Sequence, residues 1–230
     1  MSILDHSSSD AALRRSLLKS GLTIVTASAM GMTFNLTQAY AQRGATQSGA
    51  PVDLGSGDFG ILNYAYALEQ LEAAFYTNVV AQPYGGMTSE ELTLLSDIKK
   101  HEIAHREFFR GALGANAIPD LEVNFSRVNF NNRKSVLTTA KTFEDLGVSA
   151  YNGAGHLLQN VQFLAAAGTI VSVEARHAAI LRDMLSPLSS AFAGGDVVNG
   201  AGLDVARSPS QVLPKAAPFI ATPVSARALG

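Results

Sequence analysis

Apolar side chains along this chain recur with a helical period in four long segments. From about 59 to 81 they are so dense that two stripes share one helix. One is Phe59, Leu62, Tyr66, Glu69, Ala73, Tyr76, Val80; the other is Ile61, Ala65, Leu68, Glu72, Phe75, Val79. Ser56 or Asp58 can cap its start, and Pro83 with Gly85-Gly86 ends it. Thr88 with Glu91 has the spacing of a capping box, which opens a second helix at about 89–112. Its inward stripe is Leu95, Ile98, Glu102, His105, Phe109 and Ala112, and Gly114 and Pro119 close it. Residues 113–134 are irregular and too long for a tight helical hairpin, so they predict a long crossover.

A third helix is expected at about 135–158, with Leu137, Ala140, Glu144, Gly147, Tyr151, Ala154 and Leu158 inward. Gly153 and Gly155 weaken its end. The fourth spans about 160–186, with Phe163, Ala167, Ile170, Glu174, His177, Leu181 and Met184 inward, and stops at Pro187. The pattern predicts an all-α fold: an antiparallel four-helix bundle over 58–187. The tail, 188–230, is rich in Gly, Pro, Ala and Ser. One short helix is expected near 209–216, with Gln211-Val212-Leu213 and Ala217-Pro218-Phe219-Ile220 pinning an otherwise extended chain along the bundle.

Acidic and imidazole residues interrupt these apolar stripes in a repeated arrangement. Glu102-Ile-Ala-His105 returns as Glu174-Ala-Arg-His177. Residues three apart share a helical face, so each segment offers one carboxylate and one imidazole side by side. Each pair is preceded, about thirty residues earlier, by a lone Glu with a Tyr seven residues on: Glu69 with Tyr76, then Glu144 with Tyr151. Periodicity alone leaves Glu69 and Glu72 equivalent. The echo selects Glu69, because the position matching Glu72 is Gly147. Carboxylates in an apolar seam cost several kcal/mol each unless paired. Two divalent cations would cancel four of them, with neutral imidazoles completing the coordination. Oxygen and nitrogen donors without sulfur suit iron or manganese, with zinc admissible.

His101-Glu102-x-x-His105 also matches the His-Glu-x-x-His signature of zinc proteases. That reading leaves Glu69, Glu144, Glu174 and His177 unexplained, and Val173 stands where a second copy would need its His. Substituting His101 would abolish a protease site but leave a two-metal site largely loaded.

Composition narrows the remaining classes. Of 230 residues only 16% are charged, below the usual quarter, which points to a large buried fraction. The net charge of −2 advertises no nucleic-acid surface. The absence of cysteine excludes disulfides, iron–sulfur clusters and rubredoxin-type modules. At the N-terminus, Leu13-Arg-Arg-Ser-Leu-Leu-Lys19 precedes an apolar run from Gly21 to Phe34 and the A-x-A pattern Ala39-Tyr40-Ala41. This resembles a twin-arginine export signal, departing from it at Leu13 and Leu17. Residues 1–41 are therefore expected to be a signal peptide used by the twin-arginine translocase and cleaved near Ala41, with 42–57 a linker. The mature protein would be periplasmic or secreted. The apolar run is too short for a stable membrane span.

The six candidate ligands on four helices resemble the ferritin-like superfamily of di-iron and di-manganese carboxylate proteins, over about 59–186. LEQLEAAFY, HEIAHREFF, FEDLGVSAY and EARHAAIL are similar to the ferritin-like domain of desiccation-related and twin-arginine-exported bacterial proteins. The resemblance implies two iron or manganese ions, with Glu69 and Glu144 as terminal ligands and Glu102 and Glu174 as bridges. His105 and His177 would each bind one metal. Tyr76 and Tyr151 would stand behind the ligands and hydrogen-bond a carboxylate. Read from the residues alone, Glu72 is expected to be exposed or to stand behind the ligands rather than bind metal. The implied chemistry is redox work on peroxide, oxygen or ferrous iron in stress protection. The alternative is a non-catalytic metal-binding or desiccation-related structural protein. Homo-oligomers are compatible with this class, but no cage interface is readable.

Overall fold

The computed structural model describes residues 50–229. The expected signal peptide, 1–41, lies outside the described residues, as does the linker up to residue 49. The fold is all-α. Four long helices, α1 (Gly57–Ala81), α2 (Ser89–Leu113), α3 (Arg133–Ala154) and α4 (Val161–Leu185), form the bundle, and a short α5 (Pro209–Ala216) lies in the tail.

The chain pairs α1 with α2 and α3 with α4 as two hairpins, and α1 and α3 meet at the centre. Tyr76 reaches Glu144 and Tyr151 reaches Glu69, so α3 runs antiparallel to α1. That polarity requires the chain to travel the length of the bundle between α2 and α3. A 25-residue helix is about 38 Å long. Residues 114–132 cover this distance as the expected crossover. The crossover is pinned by amides on α1: Asn63 donates to the carbonyls of Leu54 and Asn116 and accepts from the Ile118 N–H, while Gln70 accepts from the Leu121 N–H. These bonds explain why α1 is buried on nearly every face. Glu69 and Glu72, one from each stripe, both face α3, while Asn63 and Gln70, from neither stripe, lie beneath the crossover. At one end Phe75 packs edge-on against Phe125 and Phe143, and Phe143 against Phe219.

The helix ends follow local chemistry, with two departures from expectation. Thr88 and Glu91 form the capping box of α2. At α1, Ser56 occupies the cap position without a side-chain bond, and Asp58 does something else. Its carboxylate accepts the backbone N–H groups of Gln159 and Asn160, 2.8 Å each, and so ties the start of α1 to the α3–α4 connection. The third helix was expected to reach 158 but stops at Ala154. Gly155–Leu157 form a 3-10 turn, and Asn160 caps α4 by accepting from Gln162.

The tail is more closely held than an extended strap. Val52–Asp53 (β1) and Val224–Ser225 (β2) pair in parallel, so 50–56, read as the end of a linker, is fixed to the C-terminal segment, with Leu54 fully buried. Arg207 passes directly over Gly153, donating its N–H to the Ser149 carbonyl at 2.9 Å. Arg182 of α4 is buried and forms paired bonds to both Asp145 of α3 and Asp196 of the tail. By length and composition α4 could cross a membrane, with 28% of its most apolar window buried. In this fold it carries Glu174, His177 and Arg182 inward.

Candidate metal centre

Each helix of the bundle delivers its acidic residue to the same interior point. Glu69 comes from α1, Glu102 and His105 from α2, Glu144 from α3, and Glu174 and His177 from α4. The four carboxylates are at most 1% exposed. They are held among the rows of Leu, Ile, Phe and Ala that share their helical faces.

Two groups of donor atoms converge within 4.8 Å: Glu69, Glu102, His105 and Glu174, and then Glu102, Glu144, Glu174 and His177. Glu102 and Glu174 belong to both. His105 Nδ1 lies 2.8 Å from Glu174 Oε1 and 3.5 Å from both Glu69 Oε2 and Glu102 Oε2. His177 Nδ1 lies 2.8 Å from Glu102 Oε1, 3.2 Å from Glu174 Oε2 and 3.3 Å from Glu144 Oε2. The arrangement therefore has an approximate two-fold symmetry that exchanges the two halves of the chain, as the sequence echo does.

His177 Nδ1 is within hydrogen-bond reach of Glu144 Oε2 and Glu174 Oε2, but the other close approaches are not hydrogen bonds. Glu69 Oε2, both oxygens of Glu102, His105 Nδ1 and Glu174 Oε1 are buried without a hydrogen-bond partner. Orphaned buried polar atoms are rare and each carries a desolvation cost of about 1–3 kcal/mol. Five in one cluster, near one another but not aligned on one another, have the geometry of ligands aimed at points between them. The donor set fits divalent cations that accept mixed carboxylate and imidazole ligation.

The outer carboxylate oxygens are held. Tyr76 of α1 donates to Glu144 Oε1, and Tyr151 of α3 donates to Glu69 Oε1. Each tyrosine thus serves the Glu of the opposite half, a crossing the linear echo did not reveal.

Taken as protein groups alone, the cluster balances charge with protons. Burial, then the charge of Glu174, pushes the Glu69 carboxyl well above its usual range; burial, then Glu102, does the same to Glu144. Burial works against a charge on His105, but the facing carboxylates of Glu102, Glu174 and Glu69 outweigh it and push the imidazole up to about 12. His177 is likewise pushed up to about 12, its burial outweighed by Glu102, Glu144 and Glu174. Glu174, facing both imidazoles, is held down to about 2 despite its burial. A cluster that collects protons in this way offers sites where cations can replace them.

Two residues have surroundings that sequence reasoning did not supply. Glu72 is buried, and a Cβ on Gly147 would lie 3.2 Å from its Oε1. The glycine opposite this acid in the echo provides the space for its carboxylate. Burial, then the charge of Glu144, pushes Glu72 well above the usual carboxylate range. It accepts no hydrogen bond from any described residue and joins neither donor group. His101 also joins neither group; its Nδ1 lies 3.0 Å from His177 Nε2. A zinc-protease site would require His101 and His105 to serve one ion. Glu102, its would-be base, instead belongs to both donor groups. His156 is exposed in the 3-10 turn after α3.

These features define a helical bundle with a buried carboxylate–histidine cluster able to hold metal ions. The family model of a ferritin-like domain matches residues 57–187, which span all four bundle helices and all six cluster residues, and the chain belongs to that family. Comparison with curated proteins finds no match.

Proposed function

We propose that the cluster binds two divalent metal ions and that, with iron or manganese bound, the protein carries out redox chemistry on peroxide, oxygen or ferrous iron; zinc is admissible only as a non-redox occupant. The observation that supports this most is the set of five orphaned buried donor atoms, four around His105 and one, Glu102 Oε1, facing His177, in two groups that share Glu102 and Glu174. In this reading Glu69 with His105 holds one ion and Glu144 with His177 the other, while the shared carboxylates lie between them. Two redox metals side by side can exchange two electrons with a small oxidant.

The chain's own contribution is to position and enclose. Tyr76 and Tyr151 orient the outer oxygens of Glu144 and Glu69, leaving the inner oxygens for metal. Leu95, Phe109, Leu137 and Leu181 keep the surrounding seam dry. An open groove of about 650 Å³, lined by residues of α2 and α4, meets the cluster at His177 and would admit small molecules. The twin Arg14-Arg15 and the Ala39-Tyr40-Ala41 pattern support export of a bundle already loaded with metal, for protection against oxidative or desiccation stress outside the cytoplasm.

The test is metal analysis of protein isolated from its own compartment, followed by measurement of peroxide consumption and ferrous iron oxidation. Two equivalents of iron or manganese with turnover support the proposal. Two equivalents without turnover leave a non-catalytic metal-binding protein. Failure to take up either metal removes the reading.

A further inference from the structure

Besides the Glu72–Gly147 difference, the two halves of the cluster differ beside their histidines. On the His177 side, His101 of α2 presents its Nδ1 3.0 Å from His177 Nε2, with the two rings within 6° of parallel. On the His105 side, the residue in the matching position of α4 is Val173, which has no group to offer. The His101–His177 pair also forms part of the wall of the open groove between α2 and α4. His101 remains exposed there, whereas His177 is 4% exposed.

We propose that His101 is a positioning residue for His177, acting on one of the two metal positions only. The inference rests on the two-metal reading above. His177 turns Nδ1 toward Glu102, Glu144 and Glu174, so Nδ1 must present a free lone pair to bind a cation. The ring hydrogen must then sit on Nε2, where His101 Nδ1 accepts it. This contact selects the required tautomer and fixes the ring plane. Outer partners of this kind typically change metal affinity by about 10–100-fold. The position formed by Glu102, Glu144, Glu174 and His177 is therefore the tighter of the two, and the half-sites are unequal despite their matched ligands. The remaining histidine of the His-Glu-x-x-His pattern thus acquires a use unrelated to proteolysis.

The test uses the full chain, stripped with a chelator and titrated anaerobically with Co²⁺, comparing wild type, His101→Ala and His101→Asn. Affinity is read by competition with a chromophoric chelator, and ligand geometry by the cobalt d–d spectrum. Wild type is expected to bind two equivalents with separable affinities. His101→Ala should weaken the tighter equivalent by about 10–100-fold and alter its spectrum, leaving the other equivalent within about twofold. His101→Asn places an acceptor oxygen where Nδ1 stood and should recover most of the loss. Circular dichroism of the three metal-free proteins should agree, because the substitution lies on an exposed helical face.

Unchanged binding in His101→Ala overturns the proposal and leaves the two-metal reading standing. Equal weakening of both equivalents, or an Asn variant no better than Ala, also overturns it. A wild type that binds no cobalt removes both.

Discussion

Glu144→Gln should separate the cost of the cluster from its use. Glu144 is fully buried, accepts from Tyr76 and faces His177. Its folded-state pKa is raised by burial and by Glu102. The sign follows from linkage. A carboxyl raised on folding holds a proton that the unfolded chain has released, so the folded state loses stability as pH rises above about 4.3, the unfolded value. For one such group the slope approaches about 1.4 kcal/mol per pH unit between the unfolded value and the raised folded one. Glutamine is a neutral mimic of the protonated acid and removes that slope. The metal-free variant should therefore match wild type below about pH 4.3 and exceed it increasingly as pH rises above that value. Adding metal should invert the order. An ion at one hundred times its dissociation constant stabilises wild type by about 2.7 kcal/mol per site, and the variant loses most of this at the His177 position. Urea unfolding followed by circular dichroism, at several pH values with and without Mn²⁺, measures both effects. Parallel pH profiles for the two metal-free proteins, or a variant with undiminished metal stabilisation, would refute the reasoning.

Other consequences are simpler to check. Gly153→Ala would put a Cβ 1.9 Å from the Arg207 carbonyl oxygen, so the tail must move; about 1–3 kcal/mol of lost stability and faster proteolysis near 200–207 are expected in denaturation and digestion experiments. Arg182→Met removes the cation between Asp145 and Asp196 and leaves Asp145 largely buried, which should cost about 3 kcal/mol in urea unfolding. Tyr151→Phe keeps the ring but frees Glu69 Oε1, and should lower metal affinity by about tenfold at the His105 position without changing the helical spectrum.

Much of the centre was legible in the sequence because the bundle obeys local rules. Helical period placed Glu102 with His105 and Glu174 with His177 on inward faces, and the internal echo singled out Glu69 and Glu144. What escaped depends on approach between distant segments. The exchange of tyrosines, Tyr76 to Glu144 and Tyr151 to Glu69, follows from α1 and α3 running antiparallel through the centre, which no stripe records. The match of Glu72 with Gly147 served to set Glu72 aside as a ligand, but it also marked the space that the buried carboxylate occupies. His101 had no role in the sequence once the protease motif was set aside, because its contact with His177 spans α2 and α4. The tail's attachments through Arg182, Gly153 and the β1–β2 pair have no periodic signature and appear only once the bundle is formed.

Anomalous diffraction from crystals of the protein loaded with Mn²⁺ tests the central claim most directly. The account predicts two peaks inside the bundle about 3.5–4 Å apart, one beside His105 and one beside His177, with Glu102 and Glu174 between them. Manganese only on the outer surface, or an interior cluster whose carboxylates bind no ion at saturating metal, would contradict it.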